Sequence, residues 1–156
     1  MKAGDIMTTN VVSVRENHSV EDVARLMARH RISGIPVLND QGALIGVITE
    51  FDLISKTGHT ATDVMSRSIV SVSADTEIEE VSHLLASQHI RRVPVMREGK
   101  VVGILSRSDL IRQIAMRWVC HVCGEIVRGS HEVPERCPRC GAGADTFTHE
   151  VEPPGM

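Results

Sequence analysis

Gly46-Val47-Ile48-Thr49-Glu50-Phe51-Asp52 returns 57 residues later as Gly103-Ile104-Leu105-Ser106-Arg107-Ser108-Asp109. Each copy reads as a glycine, an apolar pair, a hydroxyl, two variable residues and an aspartate, which is how a strand running into a helix N-terminus is spelled. Such a junction presents backbone N–H groups to anions. The glycine leaves room for a ligand against the strand, the hydroxyl can hydrogen-bond a sugar or phosphate, and the carboxylate can accept from a ribose diol. The same residues also form capping boxes, with Thr49 or Ser106 as N-cap and Asp52 or Asp109 three residues on. Capping and ligand binding are compatible, because a cap satisfies only some of the orphan donors. The repeated glycine is the feature capping does not require.

Working outward, the duplication extends in both directions. Ile6-Met7-Thr8 answers Val64-Met65-Ser66, Val11 to Val14 answers Ile69 to Val72, and Ile35-Pro36-Val37 answers Val93-Pro94-Val95, all at a shift of 58. One deletion near Gly42 changes the shift to 57. Val20, Val23, Ala24, Met27 and Ala28 match Ile78, Val81, Ser82, Leu85 and Ala86 with the spacing of an amphipathic helix. Ser19-x-x-Asp22 and Thr76-x-x-Glu79 are its expected starts. Two β-branched runs follow in each copy, around Asp40-Gln41-Gly42 and Glu98-Gly99-Lys100, and read as hairpins. A closing helix carries Leu53 and Ile54, or Leu110, Ile111, Ile114 and Ala115. The unit is β-α-β-β-α, twice.

The 156 residues carry a formal charge of -3, which gives no general attraction to nucleic acid or acidic membrane. No apolar run approaches the roughly 18 residues of a membrane span, and Met1 to Asp5 has no apolar stretch behind it; a cytoplasmic protein is expected. All four cysteines lie between Cys120 and Cys140. Cys120-His121-Val122-Cys123-Gly124 and Cys137-Pro138-Arg139-Cys140-Gly141 are two C-x-x-C-G knuckles, a spacing that suits one tetrahedral Zn or Fe ion on four thiolates. A redox C-x-x-C needs only one pair. With four cysteines available, His121, His131 and His149 are read as surface residues, and Pro153-Pro154-Gly155 as a frayed end. Arg128, Arg136 and Arg139 can offset thiolate charge or form a small basic patch, but without interleaved aromatics that patch is a poor nucleic-acid surface.

Over Ile6 to Met116 the duplicated unit resembles the CBS domain and the pair resembles a Bateman module. The resemblance rests on Met7-Thr8 and Met65-Ser66, the Ile35-Pro36-Val37 and Val93-Pro94-Val95 strands, and the two glycine-to-aspartate motifs. It implies an α+β fold in which two repeats, 1–58 and 59–116, pack about a pseudo-two-fold axis. It also implies two clefts for an adenosine nucleotide (AMP, ADP or ATP) or S-adenosylmethionine, a regulatory role without catalysis, and a tendency to form homodimers. Carried over by residue, Asp52 and Asp109 bind ribose hydroxyls, Thr49 and Ser106 contact ribose or phosphate, and Gly46 and Gly103 belong to the same motifs. Arg91 and Arg92 fall where a basic pair reaches phosphates, in the cleft of Asp52, of Asp109 or of both; Arg107 is a further cation beside Asp109. The base is expected against Val12, Ile35, Val70 or Val93.

The remaining residues, 117–156, resemble the rubredoxin-like segment of rubrerythrins. Trp118, Gly129, Pro134, Pro138, Ala142 and Phe147 carry this likeness together with the two knuckles, while Glu125 departs from it by replacing an aromatic beside the metal. The leading reading is a nucleotide-sensing CBS pair coupled to a Zn or Fe module, with a helix from Arg107 to Met116 as lever and an unidentified protein as possible partner. Two other readings use the same residues: a one-electron carrier with the pair as scaffold, and a nucleic-acid-binding regulator using the ribbon. No Ser/His/Asp set or paired carboxylates point to catalysis.

Overall fold

The computed structural model describes residues 1–128 and 132–151, so Gly129, His131 and Pro153-Pro154-Gly155 lie outside the described residues. The chain divides into two compact units, 2–106 and 107–156, Met1 grouping with the latter. In the first unit the order is α1 (Ala3–Ile6), β1 (Val14–Arg15), α2 (Val20–His30), β2 (Gly34–Leu38), β3 (Leu44–Thr49), α3 (Glu50–Ser55), then α4 (Ala61–Val64), β4 (Val72–Ser73), α5 (Ile78–Ser87), β5 (Arg92–Arg97) and β6 (Lys100–Ser106). No described helix is long and apolar enough to cross a membrane.

Each repeat builds one three-stranded sheet, β1-β2-β3 or β4-β5-β6. The first pair in each sheet is parallel, joined by a crossover helix, and the second is an antiparallel hairpin. Both sheets slip register at equivalent places, Val37/Leu38 and Val95/Met96. The one-residue deletion falls in the hairpin turns: Glu98 and Gly99 both adopt positive φ (51° and 76°), a two-residue type I′ connection, whereas the first copy needs the longer Asn39 to Ala43 loop with Gly42 at 78°. Pro36 is tolerated in a middle strand because β1 reaches only Val37 and Leu38.

The duplicated Met-Thr/Ser segments are exchanged between the repeats. α1 and its flanks pack on the second sheet: the Ala3 N–H donates to Thr76 O (2.8 Å), Gly4 to Ala74 O (2.9 Å), and Thr8 and Ile104 exchange two backbone bonds. Reciprocally, the Ala61 N–H donates to His18 O (2.8 Å) and Ser66 exchanges two bonds with Val47. Ala61, Val64 and Met65 are buried in a core with Val14, Val23, Met27, Ile35, Val37 and Ile48.

Helix α2 starts on Ser19, whose Oγ accepts from the Asp22 N–H at 3.1 Å, as expected. The expected Thr76 cap is corrected. Glu77 is the N-cap of α5, and Thr76 Oγ1 accepts from the Ser73 N–H instead, closing the turn before it. The helices also bury a narrower stripe than the pattern suggests: Val23, Met27, Val81 and Leu85 are buried, but Ala24, Ala28 and Ala86 face outward, since one sheet covers only one side of each helix.

In the second unit α6 (Arg107–Ile114) ends two residues short of the expected lever, because Met116 already opens β7 (Met116–Cys120). There Met116 pairs with Val151. Strand β7 lies between β8 (Ile126–Arg128) and β9 (Phe147–Val151) in an antiparallel sheet.

Candidate nucleotide cleft and metal centre

A cleft of about 520 Å³ opens in the first unit, within the size range of small-molecule sites. Thr49 and Asp52 of the first repeat line it together with His89, Arg91 and Arg92 of the second. The basic pair thus shares the cleft of Asp52. Hairpin register brings Gly34 opposite Thr49, and across from them the Arg92 guanidinium donates to Ser33 Oγ. Arg92 Cδ lies 3.5 Å from where a Cβ on Gly34 would sit, so the guanidinium stem rests against that glycine.

At the helix start the motif forms its capping box. The Asp52 N–H donates to Thr49 Oγ1 (3.3 Å), while Asp52 Oδ2 accepts from the Thr49 N–H (2.9 Å) and hydroxyl (3.1 Å). Its other oxygen pairs with Lys56 Nζ at 2.8 Å. Burial favours the neutral acid, but the Lys56 ammonium and the Thr49 donors outweigh it and hold the Asp52 carboxyl below its ordinary value. Each carboxylate oxygen has two lone pairs. Oδ1 therefore keeps acceptor capacity for a sugar hydroxyl after Lys56 is served.

The ligand-approach reading of Gly46 and Gly103 is corrected. A Cβ on Gly46 would meet Met65 Sδ at 2.5 Å, and one on Gly103 would meet Met7 Sδ at 2.4 Å. Each glycine makes room for the methionine of an exchanged segment, and neither lines the cleft. Of the four aliphatic residues expected around a base, Ile35 and Val70 line the cleft, while Val12 does not and Val93 is fully buried in the core. Ser66, Ser68 and Ile69 also line it, as do Phe51 and Ile104. Ser66 belongs to the repeated Met65-Ser66 pair and Ser68 lies two residues beyond it, a signal read from the sequence only as a repeat marker. Ser106 ends β6 in the first unit; Arg107 and the buried Asp109 open α6 in the second. None of the three lines this cleft.

In the second unit the two knuckles superpose in their backbone logic. The Gly124 N–H donates to Cys120 O (2.8 Å) and the Gly141 N–H to Cys137 O (2.9 Å), each glycine at φ 76° where a side chain would be strained. The Cys120 and Cys137 N–H groups close the turns on Glu125 O and Ala142 O. The N–H groups of Val122 and Cys123 point at the Cys120 sulfur, those of Arg139 and Cys140 at Cys137, that of Glu125 at Cys123 and that of Ala142 at Cys140.

All four Sγ atoms lie within 4.8 Å of one another, with Cys120–Cys140 at 3.7 Å and Cys123–Cys137 at 3.6 Å. Disulfide sulfurs sit about 2.05 Å apart, so these are free thiols. A tetrahedron with metal–sulfur bonds of about 2.3 Å has edges of about 3.8 Å, and the donor set fits one four-coordinate ion. For Cys120, burial opposes ionisation, yet the Cys123 and Val122 N–H groups and the Thr146 hydroxyl bring it down to about 6. Cys123 is helped by the Glu125 N–H, but burial and its neighbouring thiols push it up to about 12. Four thiolates so close need a cation among them.

His121 bonds to the Thr148 hydroxyl and His149 stacks on Trp118 at 4.1 Å, so both have work apart from the metal. Glu125, in its unusual place, pairs with Arg139 at 3.9 Å.

Comparison with known proteins agrees with both halves. The CBS domain family matches residues 3–58 and 61–116, and the rubredoxin-like domain of rubrerythrin matches 118–148. The chain is 36% identical over 113 residues to the CBS domain-containing protein YhcV of Bacillus subtilis, covering 68% of this chain and 80% of that one. Among solved structures, CBSX2 in complex with AMP superposes with a TM-score of 0.68 at 31% identity, over 71% of this chain and 93% of that one. The CBS pair of MJ0100, in complex with 5′-methylthioadenosine and S-adenosyl-L-methionine, does so at 0.67 and 25% identity, over 72% and 94%. With the exchanged repeats and the four-thiol knuckles already in place, the chain belongs to the CBS-domain family, as a tandem pair followed by a rubredoxin-like domain.

Proposed function

We propose that this is a non-catalytic regulatory protein whose first unit binds an adenosine nucleotide and whose second unit holds one Zn or Fe ion on Cys120, Cys123, Cys137 and Cys140. The observation that carries the nucleotide reading is the shared cleft, lined by Thr49 and Asp52 of the first repeat, by His89, Arg91 and Arg92 of the second, and by the apolar Ile35, Val70 and Pro94; in this reading Thr49 and Asp52 serve the sugar and the apolar residues the base. The guanidiniums supply charge-assisted bonds to a phosphate. The AMP held by CBSX2 and the S-adenosyl-L-methionine held by MJ0100 make an adenosine ligand the first to test.

Titration calorimetry with AMP, ADP, ATP and S-adenosylmethionine tests it. Binding by wild type that weakens about tenfold or more in Arg91→Ala/Arg92→Ala is the expected result, each charged hydrogen bond contributing about 1.5–3 kcal/mol. No binding of any of the four by wild type overturns the reading.

When bound, the ion closes a tetrathiolate shell and ties the two knuckles into one fold. Zinc makes the module structural, whereas iron makes it a one-electron carrier. The exposed edge at Cys140 favours keeping that second reading. Metal analysis and the visible spectrum of protein purified without added metal separate them, because a ferric tetrathiolate is coloured and zinc is silent. We also infer that the protein works as a homodimer, as the CBS-pair resemblance implies: Ile54 on α3 is 86% exposed, and Ala24 and Ala28 on α2 face outward, apolar side chains that a second chain would cover.

A further inference from the structure

We propose that Lys56 sets the charge of the cleft, so that the site takes an adenosine ligand bearing phosphate and disfavours the cationic S-adenosylmethionine. This deepens the nucleotide reading above and rests on it. Among the described residues lining the cleft, the charged side chains are Glu50 and Asp52 of the first repeat and Arg91 and Arg92 of the second, with histidine counted as neutral. Left to themselves, two carboxylates and two guanidiniums cancel. Lys56 lies behind the lining and tips that balance.

Lys56 Nζ pairs with Asp52 Oδ1 at 2.8 Å and also donates to Val64 O at 3.3 Å, so α3 and α4 fix the ammonium from two sides. The Asp52 side chain is only 7% exposed. Little water screens its charge, and a bare carboxylate there would repel an incoming phosphate. Paired with Lys56, it meets the ligand as a dipole, while Oδ1 keeps a lone pair for a sugar hydroxyl. Repulsion is removed without loss of the sugar contact, and the cleft is left with one positive charge in excess.

The second repeat shows that the lysine is no requirement of the motif. At the shift of 57, Lys56 answers Gln113 and Glu50 answers Arg107, although Ser106-x-x-Asp109 repeats the helix start. Gln113 carries no charge, and its Oε1 is buried without a hydrogen-bond partner. A helix of this type is therefore built without a cation four residues after its aspartate, and Lys56 belongs to the first copy alone. A cleft with an excess of one sign focuses its field on the ligand, and selectivity is a difference between two affinities. AMP brings a phosphate of about −1.5 to −2 charge, whereas S-adenosylmethionine brings a sulfonium. The same excess charge acts on them in opposite directions.

The test uses the metal-loaded full chain and titration calorimetry with AMP, adenosine and S-adenosylmethionine at low salt, with folding checked by circular dichroism. Wild type should bind AMP more tightly than S-adenosylmethionine. Lys56→Gln should weaken AMP about three- to tenfold, the effect of one unit charge across roughly 8–10 Å of partly screened cleft. Adenosine, which has no phosphate, should stay within about twofold on the same argument, and S-adenosylmethionine should gain. Lys56→Arg should keep the wild-type preference. Glu50→Gln, outside the capping box, should strengthen AMP by a similar factor and serves in place of Lys56→Gln if that variant does not fold. Wild type that binds none of the three ligands, and neither ADP nor ATP, overturns the nucleotide reading itself. Four outcomes overturn the role of Lys56 and spare that reading: S-adenosylmethionine bound by wild type as tightly as AMP, a folded Lys56→Gln or Glu50→Gln that leaves the ratio of the two affinities unchanged, adenosine weakened as much as AMP in Lys56→Gln, or a preference lost in Lys56→Arg.

Discussion

Replacing Gly46 with alanine separates packing from ligand approach. In an unstrained strand the exchange would stabilise the protein by about 0.4–1 kcal/mol, through the unfolded chain. Here the new methyl would sit 2.5 Å from Met65 Sδ, 2.9 Å from its Cγ and 3.1 Å from its Cβ. In an open site the Sδ end would turn aside, but Met65 is only 6% exposed within the first core, and its Cβ moves only with the backbone that carries Ser66 against Val47. Overpacking of this kind costs about 1–3 kcal/mol. Met65→Ala empties the slot and should cost about 2–5 kcal/mol. In the double variant the alanine methyl at position 46 no longer meets Sδ or Cγ and keeps only the 3.1 Å approach to the Cβ at position 65, so the two losses should fall short of additivity by about 0.5–3 kcal/mol. Urea unfolding of the three variants and wild type measures all four corners of the cycle. A Gly46→Ala protein as stable as wild type but defective in nucleotide binding, or two losses that simply add, would refute the packing argument and restore the glycine to the ligand site.

Thr49→Ala should lower stability by about 0.5–2 kcal/mol through loss of the α3 cap, measured by the same urea unfolding, with a larger loss of nucleotide binding in calorimetry if the hydroxyl also serves the ligand. Because the folded Asp52 carboxyl lies below its ordinary 3.8, its contribution is present above that value and lost as pH falls below it through the lowered folded pKa; wild type and Asp52→Asn should therefore converge in stability in acid and diverge toward neutral pH. Cys137→Ser or chelation should unfold the knuckle region, since structural zinc sites contribute about 10–16 kcal/mol to peptides of this size. Hydrogen exchange should show β7 to β9 losing protection while β1 to β6 keep theirs; protection unchanged in both would contradict a metal-dependent fold.

What the sequence makes legible is what is local. The spacing of Val23, Met27, Val81 and Leu85 sets the crossover helices, Glu98-Gly99 sets a turn, and C-x-x-C-G carries within five residues nearly all the geometry its knuckle needs. The pairing of Thr49 with Asp52 is likewise a matter of three residues. The partner of Gly46 is not local: Met65 comes from the other side of the repeat boundary, and a glycine beside a hydroxyl looks the same whether it clears space for a thioether or for a ligand. For the same reason Ser66 and Ser68 were invisible as cleft residues. Arg91 and Arg92 could be named from their position before Val93-Pro94-Val95, but their choice of cleft is set by how the repeats face each other. The outward turn of Ala24 and Ala28 follows from the width of the covering sheet, which helical periodicity does not contain.

The reciprocal exchange of the Met7 and Met65 segments has a bearing on how the chain is made. Ser66 follows Val47 closely in synthesis, so the first core can close soon after the linker leaves the ribosome. Thr8 must wait for Ile104, about a hundred residues later, or some 5–20 s at ordinary elongation rates of about 5–20 residues per second. For that interval Ala3 and Met7 have no native surface to cover. A nascent chain stalled before β6 should therefore expose α1 to proteases and chaperones while the first sheet is already shielded, and release past Ser106 should protect both ends of the pair together.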